Sequence, residues 1–409
     1  MAKEYKDLIV GLDIGTAKVM VVVAEVLPSG ELKLAGLGVA PSNGLKRGVV
    51  VNIDATVQSI QMALKEAELM ADCRIANVYT GITGSHIRGM NSSGMVAVKD
   101  REVTGADVSR VVETAKAINI SSDQRLLLVA PQEYIIDGQD VREPIGMSGI
   151  RLEAKVHIVT GAQTAAENII KCVRRCGLEV EHLMLNPLAS SLSVLTEDEK
   201  ELGVALVDIG AGTTDVAVYT NGAIRHTAVI PIAGDLITSD IAMALRTPTK
   251  DAEDIKVESG HAKQLLADPQ TQVEVPGLGD RGPRMLSRQA LAGVIEPRIE
   301  EIFTLVHQVL RDSGCEEVLS SGIVLTGGSC VMPGMVELGE DIFLKPVRRG
   351  MPNFGGALSD MVAQPRAAAV MGLIEEARLN RMRGFKVAQN SGSMKTILGR
   401  GKDWFLRNF

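Results

Sequence analysis

The chain opens on alternating apolar runs and short turns. Leu8 to Ile14 is apolar, Gly15-Thr16-Ala17 is a turn, and Val19 to Val26 is apolar and β-branched. This predicts strand, tight connection, strand. Leu32 to Ala40 predicts a third strand. Val57, Ile60, Ala63, Leu64 and Ala67 then recur at helical spacing, with Asp54 as the expected N-cap. Asn77 to Thr83 reads as a strand.

Residues 85–160 break this rhythm. They begin rich in Gly, Ser and Asn (Gly89 to Gly94), then predict a helix at Thr104 to Asn119 and strands at Leu126 to Asp137 and Leu152 to Thr160. This is the pattern of a small inserted α+β unit. A helix at Ala162 to Arg175 and a strand at Glu179 to Asn186 resume the main pattern.

At Gly203 the strand–turn–strand pattern starts again. Helices are expected at Asp235 to Leu245, Ala252 to Leu265, Ser287 to Ser313 (kinked at Pro297) and Arg366 to Arg378. A buried strand is expected at Ile323 to Leu325, and residues 380–393 read as a flexible linker. Gly277 to Gly282 fits a dinucleotide-binding spacing, but no strand precedes it and no helix opens at it, so a plain loop is expected.

Composition narrows the classes. With 45% hydrophobic and 23% charged residues, the 409-residue chain is an ordinary globular protein of two or more domains. No apolar run approaches the ~20 residues that cross a bilayer, and the first residues lack a signal-peptide core. A cytosolic location is expected. The five Cys include no Cys-x-x-Cys pair, and Cys172 and Cys176 share a helix face, as structural thiols do. A net charge of −7 argues against general nucleic-acid binding.

The chemistry lies in a repeat. "VGLDIGTAKVMVVVAE" from Val10 and "ALVDIGAGTTDVAVYT" from Ala205 match, with Asp13 and Asp208 195 residues apart. Each tip of Gly, Ala and Thr presents backbone N–H groups and has no bulk to exclude a phosphate. A carboxylate ending the first strand suits a hydrated divalent cation. Two facing copies would grip a phosphate chain and its Mg²⁺ from both sides. "GIVLTGGSCVMPGM" from Gly322 ends a strand in Gly327-Gly328, where the backbone can approach a flat ligand such as a nucleobase.

On these residues the chain resembles the actin-like ATPase superfamily over almost its whole length. The resemblance implies an α/β, two-lobed fold of duplicated ribonuclease-H-like domains. Gly15, Thr16, Ala17 and Lys18 correspond to the first phosphate loop, with Lys18 toward the β/γ-phosphates of ATP. Gly210, Ala211, Gly212, Thr213 and Thr214 correspond to the second, and Gly327 and Gly328 to the adenosine loop. Asp13 and Asp208 would hold Mg²⁺ through water, and Lys256 and Glu258 would face the ribose or base. Asn186-Pro-Leu-Ala-Ser and Pro365 to Gly372 resemble the two connecting helices. Asn186 stands where actins place a water-positioning Gln, one methylene longer, so slow or undetectable hydrolysis is expected.

Within the superfamily, "TGITGSHIRGMNSSG", "LNPLASSLSVLTEDEKELGVALVDIGAGTTDVAVY" and the C-terminal tail are similar to the FtsA family of bacterial division proteins. This implies an inserted subdomain 1C at 85–160. Subdomain 1A would be 1–84 and 161–200, 2A would be 201–245 and 315–379, and 2B would be 246–314. It also implies the C-terminal peptide of FtsZ as a partner, met near Glu296, Arg298 and Glu300. Subdomain 1C would serve self-contact and later division proteins such as FtsN.

The last stretch, residues 394–409, places Met394, Ile397, Leu398, Trp404, Phe405 and Phe409 on one side of a helix. Lys395, Arg400, Lys402 and Arg407 flank that side, and with Asp403 the charge is +3. This is the signature of a helix lying in a membrane interface, drawn to anionic headgroups. The combined expectation is an ATP-binding, head-to-tail polymer on the inner face of the cytoplasmic membrane that tethers the FtsZ ring. The competitors are a PilM-like binding module and a sugar- or acetate-kinase-type phosphotransferase.

Overall fold

The structure, a computed structural model, describes residues 7–279, 281–355 and 358–382. The first lobe opens with β1 (Leu8–Ile14), β2 (Lys18–Val26) and β3 (Leu32–Pro41) as an antiparallel meander. A short hairpin, β4 (Leu45–Lys46) and β5 (Val49–Val50), leads to α1 (Ile53–Ala71). The N-cap of α1 is Asn52 rather than Asp54. Asn52 Oδ1 accepts from Ala55 N at 3.1 Å, because a cap must precede by two or three residues the amide it satisfies. Asp54 lies in the first turn and pairs with Arg175 at 2.7 Å. The strand β6 (Asn77–Ile82) joins β1 in parallel.

The inserted unit follows: β7 (Arg88–Ala97), α2 (Gly105–Ala115), β8 (Gln124–Ile136), β9 (Gln139–Val141) and β10 (Arg151–Ala162). Its sheet runs β7-β10-β8-β9. Val108, Val111 and Val112 of α2 pack with Leu152, Ala154 and Val156 in a core separate from those of the two lobes. The Gly- and Ser-rich stretch is thus a strand; at Gly94 a Cβ would lie 2.9 Å from Ala115 Cα, so the helix needs that glycine.

After α3 (Gln163–Arg175), β11 (Glu179–Leu185) completes a sheet in the order β11-β6-β1-β2-β3. The helices α4 (Asn186–Val194) and α5 (Glu197–Leu202) lead into the second lobe. There β12 (Val204–Ile209), β13 (Thr214–Thr220) and β14 (Ala223–Ile230) are followed by α6 (Gly234–Leu245) and α7 (Thr249–Ser259). A hairpin of β15 (Gln272–Val275) and β16 (Arg284–Ser287) precedes α8 (Arg288–Asp312). Then come β17 (Ile323–Thr326), α9 (Met335–Phe343), β18 (Val347–Arg349), α10 (Ser359–Val362) and α11 (Ala368–Met382). The sheet order β14-β13-β12-β17-β18 repeats the first lobe strand for strand, three antiparallel then two parallel.

Two helices differ from expectation in their bounds. Helix α7 stops at Ser259, not Leu265, because Gly260 ends it: the residue packs where a Cβ would lie 3.0 Å from Met332 Cε. Helix α11 starts at Ala368 and takes in residues 380–382 of the expected linker; Asn380 is buried and donates to Glu376 Oε1 at 3.1 Å. Helices α4 and α11 cross between the lobes at Gly372, where a Cβ would lie 2.9 Å from Ala189 Cα. The rest of the linker and all of 394–409 lie outside the described residues.

Candidate functional site

The two Asp-Ile-Gly hairpins face each other across the lobes. A Cβ added at Gly212, in the second tip, would lie 2.6 Å from Thr16 Oγ1, in the first. The tips therefore touch, and the second stays open only because Gly212 has no side chain. Each tip closes the same way: Gly15 N donates to Lys18 O and Gly210 N to Thr213 O, both at 2.9 Å.

Behind the tips the strands aim three carboxylates into the cleft. Asp13 and Asp208 each lie one residue before the end of their strands, β1 and β12, and Asp215 stands directly across β12–β13 from Asp208. Lys18 Nζ is 3.6 Å from Asp13 Oδ2 and donates to Arg366 O at 2.6 Å. Burial raises the Asp13 carboxyl above its usual range, with Lys18 opposing. Burial and the nearby Asp13 charge push Asp208 up to about 6, although Ser190 Oγ donates to it at 2.5 Å. Burial and Asp208 push Asp215 up to about 8. The same burial lowers the Lys18 ammonium. Buried Asp13 and Asp215 and half-buried Asp208 share one lysine, so their ionised forms are disfavoured until a cation relieves them.

The remaining expected residues fall at different places. Gly327, with φ of +87°, backs onto the second loop; a Cβ there would lie 2.7 Å from the Ile209 carbonyl carbon. Gly328 follows it into the short turn of helix 328–331, whose Ser329 Oγ donates to Gly210 O at 2.8 Å. Gly234 N and Asp235 N, opening α6, donate to Gly210 O and Ala211 O. Lys256 Nζ donates to Gly234 O at 3.2 Å and to Thr238 Oγ1 at 2.8 Å. Thus Lys256 reaches the second loop through α6, while Glu258, two positions on, is exposed on a different helix face. Thr214 Oγ1 is turned away and donates to Ile232 O. Asn186, the first residue of α4, lies against Gly81, and its buried Oδ1 has no hydrogen-bond partner among the described residues.

Far from the cleft, Arg298 on α8 forms a fork to Asp240, at 2.6 and 3.1 Å, and a further pair with Glu301. Glu296 accepts from Gln264 N at 2.9 Å. Glu300 is exposed. Sequence reasoning missed Asp215, Ser190 and Thr83, whose Oγ1 donates to Asp215 Oδ1. The second Asp of "DIGAGTTD" is the sequence signal by which Asp215 could have been found.

Residues 205–372 match the family described as "Cell division protein FtsA". Residues 84–160 match the "SHS2 domain inserted in FTSA". The cell division protein FtsA of Pseudomonas aeruginosa is 55% identical over 409 residues, 98% of each chain. The chain belongs to the FtsA family. Other FtsA relatives agree: that of Neisseria meningitidis serogroup B is 52% identical over 97% of this chain and 98% of its own, and that of Escherichia coli K12 is 44% identical over 99% of each. The fold that this FtsA-family chain adopts is actin-like. A PilM–PilN type IV pilus biogenesis complex matches with a TM-score of 0.65 at 18% identity, over 91% of this chain and 98% of that one. MreB5 of Spiroplasma citri bound to ADP matches with 0.56 at 16%, over 94% and 99%.

Proposed function

We propose that this FtsA-family chain is an ATP-binding division scaffold. It assembles head to tail on the cytoplasmic face of the membrane, holds the membrane through residues 394–409, and carries the FtsZ ring through subdomain 2B. The observation that supports it most is the touching pair of Asp-Ile-Gly tips over three acids and one lysine.

The residues suit a magnesium nucleotide. The tips offer backbone N–H groups without bulk, as phosphate oxygens require. The carboxylates supply the hard oxygen ligands that magnesium takes alongside retained water. When bound, the metal would neutralise charge on the phosphates. Asp13 and Asp208 would orient its water, and Lys18 would pair with the phosphates. Gly327 and Gly328 would flank the base, with Lys256 and Glu258 toward the ribose side. Asn186, with its unpartnered Oδ1, is the residue we assign to a cleft water; its short reach makes the nucleotide mainly a structural ligand.

Binding then has a use in assembly. The nucleotide would fix how the lobes sit, and a polymer of correctly shaped subunits would join many weak membrane helices into firm attachment. Subdomains 1A, 1C, 2A and 2B follow the boundaries expected above. Glu296, Arg298 and Glu300 remain the proposed neighbours of the FtsZ peptide, with Glu300 the freest of the three. SHS2-domain contacts would serve self-association and later partners such as FtsN.

The test is co-sedimentation with anionic vesicles in ATP and Mg²⁺. The full chain should pellet, while a chain ending at Ser393 and Trp404→Glu should stay in solution. Equal behaviour of all three would remove the membrane anchor and return the PilM-like and kinase alternatives.

A further inference from the structure

We propose that Arg47 reads the terminal phosphate of a nucleoside triphosphate in the cleft, and so sets a preference for triphosphate over diphosphate. The proposal rests on the nucleotide reading above.

Arg47 and Gly48 are the two-residue turn between β4 and β5. Both have positive φ, 50° and 77°, the mark of a type I′ hairpin turn. The first position of such a turn favours Asn, Asp or Gly. An arginine there holds a left-handed backbone at a cost. Its side chain therefore wants a reason beyond the turn.

The turn is clamped into the cleft from three sides. Gly48 N donates to Thr16 Oγ1 of the first tip at 3.1 Å. A Cβ at Gly212 of the second tip would lie 2.9 Å from Arg47 Cα. A Cβ at Gly48 would lie 3.1 Å from Thr83, the residue bonded to Asp215. Arg47 thus starts at the seam between the two tips. Ser329, beside the proposed base site, holds Gly210, whereas Arg47 packs against Gly212, two residues further along the same loop and away from the base side.

Arg47 is also unspent. It is exposed and makes no hydrogen bond or ion pair among the described residues. Lys18, the phosphate partner proposed above, also meets Asp13 and Arg366 O. The tips add N–H groups but no second cation. A guanidinium, planar and always charged, suits a terminal phosphate with three oxygens.

The experiment measures ATP and ADP affinity of the full chain with Mg²⁺. Arg47→Asn removes the charge but places a better left-handed residue in the turn, so folding is kept, and thermal unfolding checks it. ATP affinity should fall about tenfold, and ADP affinity should change less than threefold. Arg47→Lys should recover part of the loss. Lys46→Ala, at the exposed neighbouring position outside the turn, controls for general charge and should leave the ATP/ADP ratio unchanged. Equal losses for both nucleotides, or none for either, overturn the proposal. A wild-type chain that binds neither nucleotide overturns the nucleotide reading itself, and Arg47 with it.

Discussion

The two Asp-Ile-Gly hairpins share a backbone and divide the chemistry. In the first, the residue across from Asp13 is Met20, buried and apolar, and the charge comes from Lys18 at the strand start. In the second, the residue across from Asp208 is Asp215, and the place equivalent to Lys18 is Thr213. The first hairpin supplies a cation and the second a second carboxyl. Ala17 of the first tip is exposed, and its counterpart Gly212 is pressed against Thr16 and Arg47. One fold repeated twice has become two unlike jaws. The difference arises from what each tip faces across the cleft, not from its own hairpin.

Removing the one cation should have the largest effect. Lys18→Ala leaves Asp13, Asp208 and Asp215 unrelieved and deletes the phosphate partner. Nucleotide affinity should fall a hundredfold or more, by the roughly 3 kcal/mol of a lost charge-assisted bond. Calorimetric titration with ATP and Mg²⁺ reads it; unchanged affinity would mean that the jaws do not divide the work.

The extra acid should show next, as pH dependence without nucleotide. Asp215 is raised to about 8 when folded, from 3.8. The native state therefore holds a proton that the unfolded chain releases. Its stabilising contribution is full below pH 4 and is lost as pH rises toward 8. The ligand-free chain should lose roughly 2–4 kcal/mol between pH 5 and 8, and Asp215→Asn should flatten that slope. Urea unfolding at both pH values decides it; an unchanged slope in the variant would clear Asp215.

Exchanging the tip residues sharpens the comparison at smaller scale. Gly212→Ala puts a Cβ 2.6 Å from Thr16 Oγ1 and 2.9 Å from Arg47 Cα, at a cost of about 1–3 kcal/mol. The reciprocal Ala17→Gly, on an exposed tip, should cost at most ~1 kcal/mol, chiefly in chain entropy. Thermal melts of the pair should differ clearly; similar values would mean that the tips can part freely.

A further tie between the lobes runs through the inserted unit. It departs from the first lobe between β6 and α3, yet packs on β14 of the second. Buried His157 bonds Asn91 and Thr227 at 2.6 and 2.9 Å, and Gln132 donates to Ile224 O at 3.0 Å. Arg225 pairs with Glu133 at 2.5 Å. Burial pulls the His157 imidazole down to about 3, so it stays neutral and polar in this contact.

By itself the sequence determined the local pattern and its repetition. Strand–turn–strand at both Asp-Ile-Gly sites, the insertion at 85–160 and the core faces of the helices follow from periodicities that act over a few residues. The types of the loops were legible for the same reason, since glycine and threonine tips have few other uses. Local boundaries were less so: the cap at Asn52, the stop at Gly260 and the extension of α11 depend on bonds and contacts that composition does not reveal. Only the tertiary structure decided which side chains meet. Thr83 with Asp215, Lys18 with Arg366 O, and Arg47 against Gly212 join residues that are far apart in the chain. No pattern along the sequence carries such pairings, because they arise when two separately folded sheets are brought together by the crossing of α4 and α11 at Gly372.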